Sequence, residues 1–278
     1  MAWLRAKETT GIPVPPVELR RLVGPTEEKF FDNPTGDPVF PEFPREAYSF
    51  VLDFGCGCGR IARQLLQQRE RPKKYVGLDL HRGMIQWCQR NLQPLSPGFE
   101  FHHQNVRNPG LNPKGSDKPL PFPVPDGAVT LLLAWSVFTH VDEASAGFYL
   151  REIARVLAPE GAALTTWFLF DKTDFPMMQE FQNALFINPV DPTNAVIFDK
   201  SWLVDTEARV GLVPARIVPP DIRGFQWRLV LRHRSTKVDP VGFPEDLAPK
   251  GIERPPLTPM HAETLGISDA PRDEPEDD

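Results

Sequence analysis

The stretch Val51-Leu52-Asp53-Phe54-Gly55-Cys56-Gly57-Cys58-Gly59-Arg60 decides the fold. An apolar run of strand type ends in a carboxylate, three glycines alternate, and a helical pattern follows with Ile61, Ala62, Leu65 and Leu66 on one face. Strand, glycine turn and helix in this order make the cofactor loop of an open α/β sheet. Glycine serves there because the chain turns with positive φ and a ligand approaches the main chain closely. A dinucleotide fingerprint, G-x-G-x-x-G, would put its third glycine at position 60, where this chain has Arg60. A turn without a ligand gains nothing from glycine at 55, 57 and 59, since each costs backbone entropy on folding.

Outward from the loop, the chain continues as alternating strands and helices. Tyr75-Val76-Gly77-Leu78-Asp79-Leu80 is a second short strand ending in a carboxylate, 20 residues after Gly59. That distance suits one βαβ unit with Asp79 at the tip of the neighbouring strand, where a carboxylate accepts both hydroxyls of a ribose. Met84, Ile85, Cys88 and Leu92 follow at helical spacing. A third strand, 99–104, runs into Asn105-Val106, with His102 and His103 on opposite faces and read as structural. A fourth, 128–135, leads through Ser136-Val137-Phe138-Thr139-His140-Val141 to a helix over about 143–157. A fifth strand spans 162–170, and two more, 212–218 and 225–232, are joined by Pro219, Pro220 and Gly224.

These elements resemble the class I S-adenosylmethionine-dependent methyltransferases over roughly residues 48–233. The likeness rests on the alternating glycines behind Asp53, the His140-Val141 turn, Arg155-Val156-Leu157-Ala158-Pro159-Glu160-Gly161 before the fifth strand, and the closing strand pair. It implies an α/β fold: a Rossmann-like seven-stranded sheet, mostly parallel with an antiparallel last strand, and helices on both faces. It also implies S-adenosylmethionine as cofactor. Asp53, Gly55, Cys56, Gly57 and Gly59 would then back the methionine part, Asp79 would hold the ribose with Leu80 also in the cofactor site, and Met84 would touch the adenine, although core packing accounts for Met84 equally well. Asn105, followed by Val106, stands where the family carries an acidic acceptor for the adenine amino group, and an amide oxygen can replace it. Trp135 and Ser136 would line the crevice at the carboxyl end of the fourth strand. His140 is the candidate general base, since histidine titrates near neutrality. A second departure is Pro159-Glu160-Gly161 where the family reads P-G-G. Residues 15–24 resemble the leader of one bacterial branch of these enzymes.

Composition divides the chain. Of its 32 prolines, residues 1–49 and 235–278 hold eight each, whereas 53–109 hold four. Proline gathers where regular structure is absent. The expected organisation is a proline-rich leader and lid over 1–47, a catalytic domain over 48–234 with an insertion at about 171–200, and a tail over 235–278. The tail carries 11 acidic against four basic residues and is expected to be disordered; the rest is close to neutral. A near-neutral domain without a basic stripe, and without the Asn/Asp-Pro-Pro-aromatic motif after the fourth strand, argues against a nucleic-acid substrate. No apolar run reaches transmembrane length and no signal-type segment opens the chain, so a cytoplasmic protein is expected. Cys56, Cys58 and Cys88 make neither a disulfide framework nor a metal site.

The function expected is methyl transfer, at oxygen, to a small-molecule, lipid or glycan acceptor. Aromatics of the leader (Phe30, Phe31, Phe40, Phe43, Tyr48) and of the insertion (Phe175, Met177, Met178, Phe181, Phe186) are candidates to cover the crevice. The alternatives are an NAD(P)-dependent oxidoreductase, which Arg60 and the closing strands disfavour, and a non-catalytic binding subunit of the same fold.

Overall fold

The structure, a computed structural model, describes residues 11–175, 177–188 and 191–244. Five parallel-running strands form its centre: β1 (Phe50–Phe54), β2 (Lys74–Asp79), β3 (Phe99–His103), β4 (Val129–Ala134) and β5 (Leu157–Phe170). They lie in the order β3-β2-β1-β4-β5 and pair in parallel, with Asp53 opposite Gly77 and Leu133. After β6 (Ala184–Phe186) and β7 (Val196–Asp199) come β8 (Leu212–Val218) and β9 (Trp227–His233). β9 enters antiparallel to β5 along 163–167 and carries β8 on its far side.

The sheet has nine strands rather than the expected seven. The seven-strand path β3-β2-β1-β4-β5-β9-β8 is present; the insertion supplies the other two. β5 is 14 residues long and outruns β9, so β7 pairs with its exposed end at 168–170 and β6 closes the edge. A free edge of unpaired backbone groups is thereby covered.

Side chains alternate across each strand, so the sheet builds a core on either face. Val51, Tyr75, Leu131 and Leu133 face α2 (Arg60–Gln67) and α3 (Arg82–Asn91), where Ile61, Leu65, Leu66, Ile85 and Cys88 meet them. Leu52, Phe54, Val76, Leu132 and Trp167 belong to the other core, with Tyr149, Leu150 and Ile153 of α4 (Glu143–Val156) and Leu203 of α5 (Lys200–Arg209). Helices α4 and α5 start where short polar side chains satisfy free N–H groups. Asp142 accepts from Ser145 N–H, and Asp199 from Trp202 N–H. Each fully buried leucine contributes about 1.5–3 kcal/mol of burial free energy.

Two expected boundaries move. The leader, with α1 (Val17–Arg20), is largely core: Phe31, Phe40, Phe43 and Tyr48 are buried, and only Phe30 of the five leader aromatics is exposed. The tail expected from Ser235 is still packed on the sheet as far as 243: Thr236 Oγ1 donates to Pro159 O at 3.0 Å, and Phe243 sits edge-on to Trp227. Apolar and hydrogen-bonding partners, not composition, hold this piece. The remainder of the expected tail, 245–278, and residues 1–10 lie outside the described residues.

Candidate active site

The loop after β1 turns through three left-handed glycines, Gly55 (φ +81°), Gly57 (+56°) and Gly59 (+81°). Gly55 and Cys56 N–H both donate to Leu78 O, at 2.8 and 2.9 Å, which pins the loop to the end of β2. A side chain at 57 would put its Cβ 2.6 Å from Val23 Cγ1, and at 59 2.5 Å from Leu92 Cδ1. Glycine is required here by backbone sign and by space together.

Both carboxylates that end the first two strands reach this loop. Asp79 accepts from Gly57 N–H (Oδ2, 2.8 Å) and His81 N–H (Oδ1, 2.7 Å), which fixes its plane while leaving each oxygen a further lone pair for two vicinal hydroxyls. Burial raises its pKa, and these two bonds oppose the rise. Asp53 is buried; its Oδ2 accepts from Tyr75 Oη at 2.7 Å and its Oδ1 has no partner among the described residues. Burial pushes its pKa up to about 7, against the Tyr75 hydrogen bond and the charge of Arg60. Arg60, first residue of α2, is half-buried and makes no hydrogen bond or ion pair among the described residues. Burial lowers its pKa, and Asp53 is the first of the charges that oppose this. A loop of left-handed glycines beside an oriented carboxylate at the end of β2 fits a ligand carrying a ribose.

The other expected residues fall around this centre. Leu80 is half-buried, and its carbonyl lies 3.0 Å from His103 Nε2. Met84 is fully buried beside Phe31 and Cys58, so core packing occupies it. Asn105 is exposed and its Oδ1 accepts from Asn112 at 3.2 Å; Val106 bridges to Ser116. Trp135 is half-buried against the Phe40 ring, 6.2 Å between centroids. Ser136 has φ +57°, the one positive φ outside glycine among the described residues. Its N–H donates to Thr166 Oγ1 (2.7 Å) and its hydroxyl bonds the Gln226 amide. His140 is exposed on a 3-10 turn, with Nδ1 3.1 Å from Thr193 O. Cys56 and Cys88 are buried and their thiols are pushed well up; they are inert core groups.

Sequence reading missed Tyr75, Arg63, Thr166 and Gln226. Arg63 is the largest omission. This buried guanidinium on α2 donates to Ile12 O, Pro13 O and Phe31 O and pairs with Asp32, tying two separate stretches of the leader to the helix that starts at the glycine loop. Val23, from the same leader, covers Gly57.

Residues 51–161 match the family model of a methyltransferase domain. Among solved structures, the fold is similar to a SAM-dependent methyltransferase from Aquifex aeolicus (16% identity over 79% of this chain and 98% of that one, TM-score 0.47). It is also similar to a TehB-like SAM-dependent methyltransferase from Corynebacterium glutamicum (18%, 69% and 83%, TM-score 0.42). A third is the O-methyltransferase NcsB1 of neocarzinostatin biosynthesis, solved with S-adenosylmethionine and 2-hydroxy-5-methyl naphthoic acid (16%, 69% and 51%, TM-score 0.45); this chain spans about half of its length. The glycine loop, both strand-end carboxylates and the β4 edge all fall inside the segment that matches the methyltransferase-domain model.

Proposed function

We propose that this protein is an S-adenosylmethionine-dependent methyltransferase acting at oxygen on a small-molecule or glycan acceptor. The observation that carries the reading is the joint geometry of Gly55, Gly57 and Gly59 with Asp79, a carboxylate oriented by the loop itself. When bound, S-adenosylmethionine supplies a methyl group already activated by its sulfonium. The chain's own residues then have to bind, align and deprotonate. Asp79 takes the ribose hydroxyls. Trp135 and Ser136 shape the crevice beyond the loop. Holding an acceptor in line can be worth about 7–11 kcal/mol in ideal cases.

His140 is the proposed base. With Nδ1–H donated to Thr193 O, the neutral ring carries its lone pair on Nε2, free to take a proton from a hydroxyl. A base in this role contributes on the order of 10²–10⁴-fold. The proposed acceptor space is a cavity of about 610 Å³ at the carboxyl ends of β5 and β7, lined by Phe175, Met178 and Trp202 with Lys172, Asn183 and Asp205. That size suits a ring system or a sugar. The insertion's exposed Met177 and Phe181 are proposed to close over it.

Titration with S-adenosylhomocysteine and with NAD tests the donor. Tight NAD binding without S-adenosylhomocysteine binding would reverse the assignment toward the oxidoreductase. A metabolite screen with methyl-labelled donor identifies the acceptor; a chain that binds donor yet labels nothing would favour the non-catalytic reading.

A further inference from the structure

A second cavity, of about 570 Å³, opens at the other end of the sheet, where β1 begins. One wall is leader chain, with Pro38, Arg45 and Tyr48; the other is the link from α2 to β2, with Gln68, Arg71 and Lys73. β1 is five residues long, so roughly 15 Å separates this end from the glycine loop. The two walls are stitched together. Arg69 N–H donates to Gly36 O at 2.9 Å, and the buried Gln68 amide accepts from Val39 N–H at 2.9 Å and donates to Glu70 O at 2.7 Å. Tyr48 is also buried, and its hydroxyl is taken by Phe40, so the ring is what it offers the cavity.

The charges on the rim do not balance. Arg69 pairs with Asp37 at 3.1 Å, and Arg45 pairs with Glu70. Lys74, the next cation along the chain, lies over the Phe50 ring. Arg71 and Lys73 have no hydrogen bond or ion pair among the described residues. They flank the buried Pro72; a residue before proline is held extended, and the exposed–buried–exposed order turns both cations the same way. Glu46 is the one carboxylate of the lining left unpaired among the described residues. A guanidinium fork beside an ammonium suits a phosphate dianion, which takes two bonds from arginine and a point charge from lysine. The cavity is far larger than one phosphate and lies in the range of small-molecule sites. We infer that it binds a small organic phosphate monoester, with the phosphate on Arg71 and Lys73 and the organic body against Pro38 and Tyr48. This site stands apart from the donor and acceptor sites proposed above.

The test is calorimetric titration of the full chain, with S-adenosylhomocysteine present to occupy the glycine loop, using glucose 6-phosphate, uridine 5′-monophosphate, inorganic phosphate, glucose and uridine. At least one ester is expected to bind below about 1 mM, and glucose and uridine to give no heat. Replacing both cations, Arg71→Gln with Lys73→Gln, should weaken that ester at least tenfold, since two charge-assisted bonds are lost. The melting temperature should not change, because both side chains are exposed. Glu46→Gln, which removes a like charge, should tighten the ester at least twofold. Absence of ester binding, an affinity of the double variant within twofold of wild type, or inorganic phosphate binding as tightly as the esters overturns the inference; the donor assignment is untouched by any of these.

Discussion

Replacing Glu207 should stabilise the protein, and by an amount that depends on pH. Glu207 sits in α5 with no exposed surface, and neither carboxyl oxygen has a hydrogen-bond partner among the described residues. Burial alone pushes its pKa from 4.5 up to about 8. The folded state therefore keeps it protonated where the unfolded chain has released the proton. For an acid shifted upward, its contribution is fully present below about pH 4.5 and is lost as pH rises to about 8. Each unit in that window costs about 1.4 kcal/mol, so the penalty is roughly 3 kcal/mol at pH 7 and roughly 5 by pH 8. Glu207→Gln keeps the shape and removes the titration. Urea unfolding followed by tryptophan fluorescence at pH 5, 6, 7 and 8 gives the difference between the two proteins. Groups common to both, such as Asp53, which titrates in the same window, cancel in that difference. The variant should be within about 1 kcal/mol of wild type at pH 5 and gain steadily above it. At pH 7 the gain corresponds to a rise of about 6–12 °C in melting temperature. Glu207→Met, which also removes the unbonded polar atoms, should be at least as stable as the glutamine variant. A difference that is flat from pH 5 to 8, or that favours the glutamate, refutes the reasoning.

Four other perturbations have defined outcomes. Arg63→Met removes the cation shared by Ile12, Pro13, Phe31 and Asp32 and should cost about 3–5 kcal/mol, with hydrogen exchange showing loss of protection first in residues 12–32. Gly59→Ala meets Leu92 and Cys88 and forces a side chain to φ +81°; it should destabilise by about 1–3 kcal/mol and lower S-adenosylhomocysteine affinity in calorimetry. At Ser136, asparagine should be tolerated within about 1 kcal/mol in thermal melts, whereas valine should cost at least about 2, because a β-branched residue is poorly accommodated at φ +57°. His140→Gln should leave donor affinity unchanged and reduce turnover about a hundredfold with whatever acceptor the labelled screen yields; unchanged turnover would remove His140 from the chemistry.

What the sequence disclosed and what it hid divide along contact distance. The loop glycines and Asp79 were legible because their requirement is local: a turn of fixed sign followed by a carboxylate one βαβ unit away. Tyr75 with Asp53 (22 residues apart), Arg63 with Ile12 (51) and Ser136 with Gln226 (90) were not, since no spacing rule announces such pairs. Met84 shows the converse. Its helical position was readable, but Phe31, more than 50 residues earlier, is what packs it into the core. The two extra strands were missed for length. β6 has three residues, and although Val196-Ile197-Phe198 before the capping Asp199 is an apolar run, four residues fall below what periodicity can resolve.

The grip of Arg63 on Ile12 has a consequence for synthesis. Ile12 leaves the ribosome before Arg63, its partner, which follows 51 residues later. At about 5–20 residues per second, the buried aromatics Phe31, Phe40 and Phe43 wait on the order of several seconds before α2 exists to receive them. In that interval the leader is unpaired apolar chain, open to chaperones and proteases. The matched family segment begins only at residue 51, whereas the packed unit already includes Ile12 through its bond to Arg63.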